Sequence, residues 1–151
     1  MLDDTDRRLL RQMLSTPEAG VSEIGARAGL SPAAASRRIE RLRRSGVIRG
    51  VHAVIDWRRL GYEVEVSLRV TLDKTADRAF DDFIAAAREI PEVAEIQTFL
   101  GRVDLRLSVL ARDMAHYQEI YRERILTLPH IADIESLMQV ATIKSSDALP
   151  I

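Results

Sequence analysis

Five arginines crowd the stretch that opens at Ser31-Pro32, of which Arg37, Arg38, Arg41 and Arg44 fall on the face away from its apolar residues, and Glu40 is the one acid between Ser31 and Ser45. A guanidinium carries a permanent charge and five N–H donors, so such a set can neutralise phosphates or grip a guanine edge through paired bonds. The chemistry on offer is the binding of a polyanion. A reaction centre is harder to find. There is no cysteine, which removes thiol catalysis, disulfides and thiolate metal sites together. His52, His116 and His130 stand far apart and lack the HxxxH or HExxH spacing that puts two ligands on one helical turn, so neither a metal nor a cofactor is expected. No Ser/His/Asp order, Gly-rich phosphate loop or glycosidase-type acid pair is evident.

The arginines need a helix to align them, and the flanking residues predict one. Ser31 supplies an N-cap hydroxyl and Pro32 occupies the first helical position, where its missing N–H costs nothing. Ala35, Ile39 and Leu42 then follow an i, i+4, i+7 pattern, and Gly46 ends the segment. Upstream, Leu2, Leu9, Leu10, Met13 and Leu14 fall on one face of a helix over 2–14, whose acidic start at Asp3 to Asp6 suits the helix dipole. Val21, Ile24 and Ala28 predict a short helix stopping at Gly29. Two helices joined by a Gly-containing turn, the second one basic, form the plan of a helix-turn-helix. The β-branched stretch Val47 to Ile55 predicts one or two strands of a small wing.

A major groove about 12 Å wide admits a helix whose leading end is slender. Ser31, Ala33, Ala34 and Ser36 are small, and Arg37, Arg38, Arg41 and Arg44 follow, so these eight residues are expected to contact double-stranded DNA. Charge distribution agrees. Residues 1–50 hold ten arginines against six acids, a balance of +4, whereas residues 51–151 hold twelve basic against seventeen acidic residues, −5.

Beyond a linker over 51–62 the period alternates by element type. A strand over 63–72, a helix over 75–90, strands over 93–100 and 104–111, a helix over 113–128 and a strand over 131–143 give the order βαββαβ, the ferredoxin-like arrangement. The fold class is therefore α+β: a winged helix-turn-helix over 1–50, wing and linker over 51–62, and a ferredoxin-like domain over 63–151. With 46% hydrophobic and 30% charged residues the chain is a globular one. Its apolar runs are broken by charges, and Leu2 is followed at once by Asp3 and Asp4, so neither a membrane span nor a signal peptide is expected and the cytoplasm is the expected location.

At this point the residues resemble a known family. Leu2-Asp3-Asp4-Thr5-Asp6-Arg7-Arg8-Leu9-Leu10 is similar to the LDxxDxxIL opening of the Lrp/AsnC transcription regulators. Gly29-Leu30-Ser31-Pro32 with Arg37 to Leu42 resembles their GLSP...RxxRL recognition helix, and Gly46-Val47-Ile48-Arg49-Gly50 their GxIxGY exit. Gly101 with Asp104, Asp113 to Tyr117, and Leu128-Pro129 resemble features of the same family's regulatory half, so the likeness covers essentially the whole chain.

The resemblance implies more than composition does. It implies a sequence-specific regulator of transcription whose subunits pair through the regulatory domains into homodimers and then tetramers or octamers. It also implies a small-molecule effector, an amino acid or related acid, held near the Gly-x-x-Asp turn. That assigns effector binding to Leu100, Gly101, Arg102, Val103 and Asp104, with Ser136 on the last strand where relatives place a hydroxyl. The chain departs from the pattern here, because Arg102 replaces an acid and Val103 an aromatic ring, which points to a ligand more anionic than an ordinary amino acid or to a silent site. Arg102 also reads as a solvated hairpin tip, and Ser136 as an ordinary surface serine. An alternative from another class is an enzyme similar to the siroheme decarboxylases, which resemble the family in both halves; the three histidines offer little sign of the haem-sized site it would need.

Overall fold

The computed structural model describes residues 2–143 and divides into two units, one reaching to Val54 and the other spanning Ile55–Thr142. The last eight positions of the expected regulatory domain, 144–151, lie outside the described residues.

The first unit is three helices: α1 (Asp4–Ser15), α2 (Val21–Arg27) and α3 (Pro32–Arg44). The α1 helix starts two residues later than its apolar pattern suggests, because Asp3 caps it. The Asp3 carboxylate accepts from the Asp6 amide at 2.7 Å, and the Asp6 carboxylate accepts from the Asp3 amide at 3.1 Å, so two orphan N–H groups are satisfied reciprocally. Ser31 caps α3 in the expected way, accepting from the Ala34 amide at 3.3 Å. Leu9, Ile24, Ala28, Ala35, Ile39 and Leu42 form the buried centre, with Leu2, Leu10 and Met13 packed around it. Leu14, grouped with that face by periodicity, is 41% exposed.

One glycine sets how closely the second and third helices meet. A Cβ built on Gly25, in the middle of α2, would lie 2.6 Å from the Cβ of Ala35 on α3. Neither atom has a flexible arm to swing aside, so the helices touch there only because residue 25 lacks a side chain. Gly25→Ala is expected to destabilise the chain by about 1–3 kcal/mol through overpacking, although alanine is the better helix former. Chemical denaturation of the two proteins measures it.

After α3 the chain does not form the strands expected over 47–55. The Ile48 amide folds back to the Leu42 carbonyl at 3.1 Å, and residues 48–56 carry no regular structure. β-Branched side chains favour extended backbone, but a strand needs a neighbour to take its N–H and C=O groups. None of the described residues pairs with this stretch, and Val51 and Val54 are 62% and 84% exposed.

The second unit opens with a 3₁₀ turn, Trp57–Leu60, then runs β1 (Val64–Leu72), α4 (Ala79–Arg88), β2 (Val93–Thr98), β3 (Leu105–Ala111), α5 (Met114–Ile120) and β4 (Ile131–Met138). The strands form one sheet in the order β2-β3-β1-β4 with every neighbouring pair antiparallel, the expected ferredoxin-like topology. Val66, Leu68, Val70 and Leu72 alternate along β1 into a core shared with Phe83 and Ala87 of α4 and Tyr117 and Ile120 of α5.

The last helix was expected to run unbroken over 113–128. Instead α5 passes into a π turn, Tyr121–Ile125, in which the Leu126 amide bonds the Tyr121 carbonyl at 2.9 Å. In α geometry residues five apart diverge by about 140°. The wider turn keeps both Ile120 and Ile125 on the core side, 2% and 0% exposed.

Candidate nucleic-acid interface and the Gly101 turn

The buried stripe of α3 is Ala35, Ile39 and Leu42. At 3.6 residues per turn the positions opposite it are Ala33, Arg37, Glu40 and Arg44, and all four are exposed. Ser31 and Pro32 are exposed too, so the capped end of the helix is slender and open to solvent. Arg37 has no polar partner among the described residues. Arg44 has only a long ion pair with Glu40, 3.8 Å, between two largely solvated side chains, a contact of little energetic weight. Ser36 is exposed on one shoulder of the helix.

Arg38 and Arg41 occupy the other shoulder, beside Ala34, and do not simply point outward as expected. Arg38 Nη1 donates to Asp3 Oδ2 at 2.7 Å and to Asp6 Oδ1 at 2.8 Å. Arg41 Nη2 donates to both carboxylate oxygens of Asp6, at 2.6 and 2.5 Å. Asp6 has no exposed surface. The guanidinium of Arg38, with the Asp6 amide beside it, holds the Asp3 carboxyl down from 3.8 to about 2. A carboxyl whose folded-state pKa is depressed contributes stability in full above its unfolded value and loses it as pH falls through the folded value. The share that Asp3 carries is thus complete above pH 3.8 and gone near pH 2. Acid unfolding of Asp3→Asn followed by circular dichroism is expected to lack that step.

Sequence reasoning assigned Asp6 only to the dipole of α1. The available signal was an aspartate three residues after another at a helix start, which is a capping-box spacing; that the same carboxylate would bind α3 has no local signal.

The Gly101 turn joins β2 to β3. Gly101 adopts φ +154°, which side-chain-bearing residues rarely reach. Leu100 and Arg102 are exposed, Val103 is half-buried, and Thr71 Oγ1 donates to the Arg102 carbonyl at 3.1 Å. Asp104 faces inward, 3% exposed. Its Oδ2 accepts from the Leu72 amide at 2.9 Å and its Oδ1 meets Lys74 Nζ at 2.8 Å. Burial alone would raise this carboxyl, but Lys74 and the Leu72 amide outweigh it and hold the group below its ordinary value. The carboxylate expected to meet an effector therefore braces the hairpin.

Ser136 is not brought to this turn within the chain. It lies opposite Leu68 in the ladder, on the helix-covered face, and its hydroxyl meets Tyr117 Oη at 3.0 Å. Thr71, which holds the turn, is three positions further along β1 and points to the other face.

Residues 2–49 match a winged helix-turn-helix DNA-binding domain, and residues 65–149 match the Lrp/AsnC ligand binding domain. The chain belongs to the Lrp/AsnC family. The proline dehydrogenase transcriptional activator of Rhodobacter capsulatus is 34% identical to it, with 95% of this chain and 93% of that protein covered. The leucine-responsive regulatory protein of Salmonella typhimurium is 30% identical over 99% of this chain and 92% of its own length. Among solved structures, a transcriptional regulator from Neisseria meningitidis in complex with L-methionine superposes with a TM-score of 0.91 at 26% identity, covering 99% and 97% of the two chains. The feast or famine regulatory protein from Mycobacterium tuberculosis, complexed with L-methionine, gives 0.87 at 29% identity and covers 99% of each. Like these Lrp/AsnC relatives the chain is a DNA-binding transcription regulator rather than an enzyme, and the decarboxylase alternative is not favoured. No helix among the described residues is long and apolar enough to cross a membrane.

Proposed function

We propose that this regulator inserts the capped end of α3 into the major groove, reading double-stranded DNA with Ser31, Ala33, Ser36 and Arg37, while Arg44 engages phosphate and Ala34, Arg38 and Arg41 line the side toward α1. The observation that carries the reading is the exposure of Arg37, unpartnered among the described residues, directly opposite the buried stripe of a helix whose leading face is small. A homodimer, built up to a tetramer or octamer, presents two such helices about one DNA turn apart and selects a pseudo-palindromic operator. Its place of action is the cytoplasm, at the nucleoid. Selecting bound duplex from a random pool tests the proposal: enrichment of a two-fold-related motif, with affinity falling steeply as salt rises, is the expected result. Indifference to any duplex at low ionic strength would end it.

The effector of this reading is an amino acid or related acid. The L-methionine held by two similar regulators supports that class. Arg102, exposed at the tip of the Gly101 turn, favours an additional anionic group on the ligand. Leu100, Gly101, Arg102 and Val103 form one part of the pocket and Ser136 another, joined only when a second subunit closes it. Asp104 acts by holding the turn in shape. Calorimetric titration with a panel of amino acids and 2-oxo acids is expected to favour acidic members, and tight binding of neutral amino acids alone would reject the anionic preference.

A further inference from the structure

Asp6 and Asp104 are the two buried carboxylates among the described residues, and a carboxylate leaves water only when it is well paired. Asp104 braces a hairpin. Asp6 is paired across 32 and 35 residues of sequence to two side chains of the helix assigned to DNA, and the manner of that pairing is informative. Arg38 commits one terminal nitrogen, Nη1, to Asp3 and Asp6, and Arg41 commits one, Nη2, to Asp6. An arginine has five N–H donors. Three on each guanidinium are left without a partner among the described residues, and the two side chains stay 29% and 53% exposed. An unanchored arginine would have to be immobilised from many rotamers on meeting DNA; these two are already held.

The acids also cancel charge. Two aspartates against two arginines leave the cluster neutral, so it adds little to the general attraction for phosphate, which depends on net cationic charge. Oriented donors with no net charge favour recognition of a particular geometry over attachment to any duplex.

We propose that Asp6, seconded by Asp3, is a positioning residue for DNA recognition: it anchors Arg38 and Arg41 by one nitrogen each, presents their remaining donors to the duplex, and suppresses non-specific binding. The inference rests on the placement of α3 against DNA given above.

The test uses the full chain carrying Asp6→Asn, with a duplex selected from the random pool and a scrambled duplex of the same length, each titrated over a salt series. Affinity for the scrambled duplex is expected to rise and its dependence on log salt to steepen by about one unit, as one more phosphate is neutralised. Discrimination between the two duplexes is expected to fall roughly tenfold, the scale of one oriented arginine contact. Asp3→Asn, which keeps a good N-cap, should move both readouts in the same sense by less, and it decides the matter should Asp6→Asn fail to fold. A merely structural acid would shift both affinities together, so an unchanged discrimination ratio in the folded variant overturns the proposal. Arg37→Ala separates the two readings. If it leaves the selected duplex bound as before, the placement of α3 falls, and this inference with it; if it abolishes binding while Asp6→Asn keeps the ratio, only this inference falls.

Discussion

Replacing Arg38 and Arg41 together by methionine is expected to destabilise the protein by about 3–5 kcal/mol, the cost of stranding a buried charge without its partners. Methionine keeps an apolar stem over the site, so water does not simply replace the guanidinium groups. Asp6 would retain the Asp3 amide as its remaining donor. The opposite deletion is milder. Asp6→Asn leaves two arginines that are 29% and 53% exposed and free to find water, so about 1–2 kcal/mol is expected, the scale of the hydrogen bonds lost. Adding Asp6→Asn to the double methionine variant should therefore recover much of the stability. Denaturant midpoints of the four proteins, followed by far-ultraviolet circular dichroism, provide the cycle. Equal losses for the acid and for the arginine pair would show that Asp6 is better solvated than its zero exposure implies.

Arg37→Ala is expected to weaken binding of the selected duplex by ten- to a hundredfold for each helix engaged, about 1–3 kcal/mol per base contact, and twice that free energy when a dimer presents two copies. Stability should scarcely change, because the side chain is exposed and meets no polar partner among the described residues. That combination is what distinguishes Arg37 from Arg38 and Arg41, whose removal is expected to act on folding and binding at once. Arg37→Lys refines the assignment. A phosphate contact survives the exchange, whereas a bidentate grip on guanine does not. Measured against duplexes altered one base pair at a time, loss of discrimination at a single position identifies a base contact, and a uniform loss with a shallower salt slope identifies phosphate. Full retention of affinity in Arg37→Ala would remove α3 from the interface.

How far each feature could be read in advance follows from the reach of the interaction behind it. The cap at Ser31, the proline at the next position and the stripe Ala35, Ile39, Leu42 act within one or two turns, and α3 lies where they put it. The strand order of the second unit was legible for a similar reason: alternation along β1 and β3, broken by helix-period segments, admits few compact sheets. The stretch 47–55 misled because composition reports only a preference for extended backbone and says nothing about a pairing partner. The π turn at Tyr121–Ile125 was hidden because it is a response to the core, not a property of the five residues.

The arginine run, taken with the Ser31-Pro32 cap, the small residues after it and the Gly-containing turn before it, pointed to a polyanion-binding helix, since charge and helical period are written in nearby residues. Which arginines face outward was another matter, because it depends on a carboxylate more than thirty positions away whose burial exists only once α1 and α3 have met. Asp104 repeats the point at the Gly101 turn. The family resemblance implied a ligand contact there, and the fold gives its carboxylate the Leu72 amide and Lys74 as partners. Side-chain direction is settled by desolvation and pairing among groups brought together from distant parts of the chain, and no local pattern encodes which partners will be within reach.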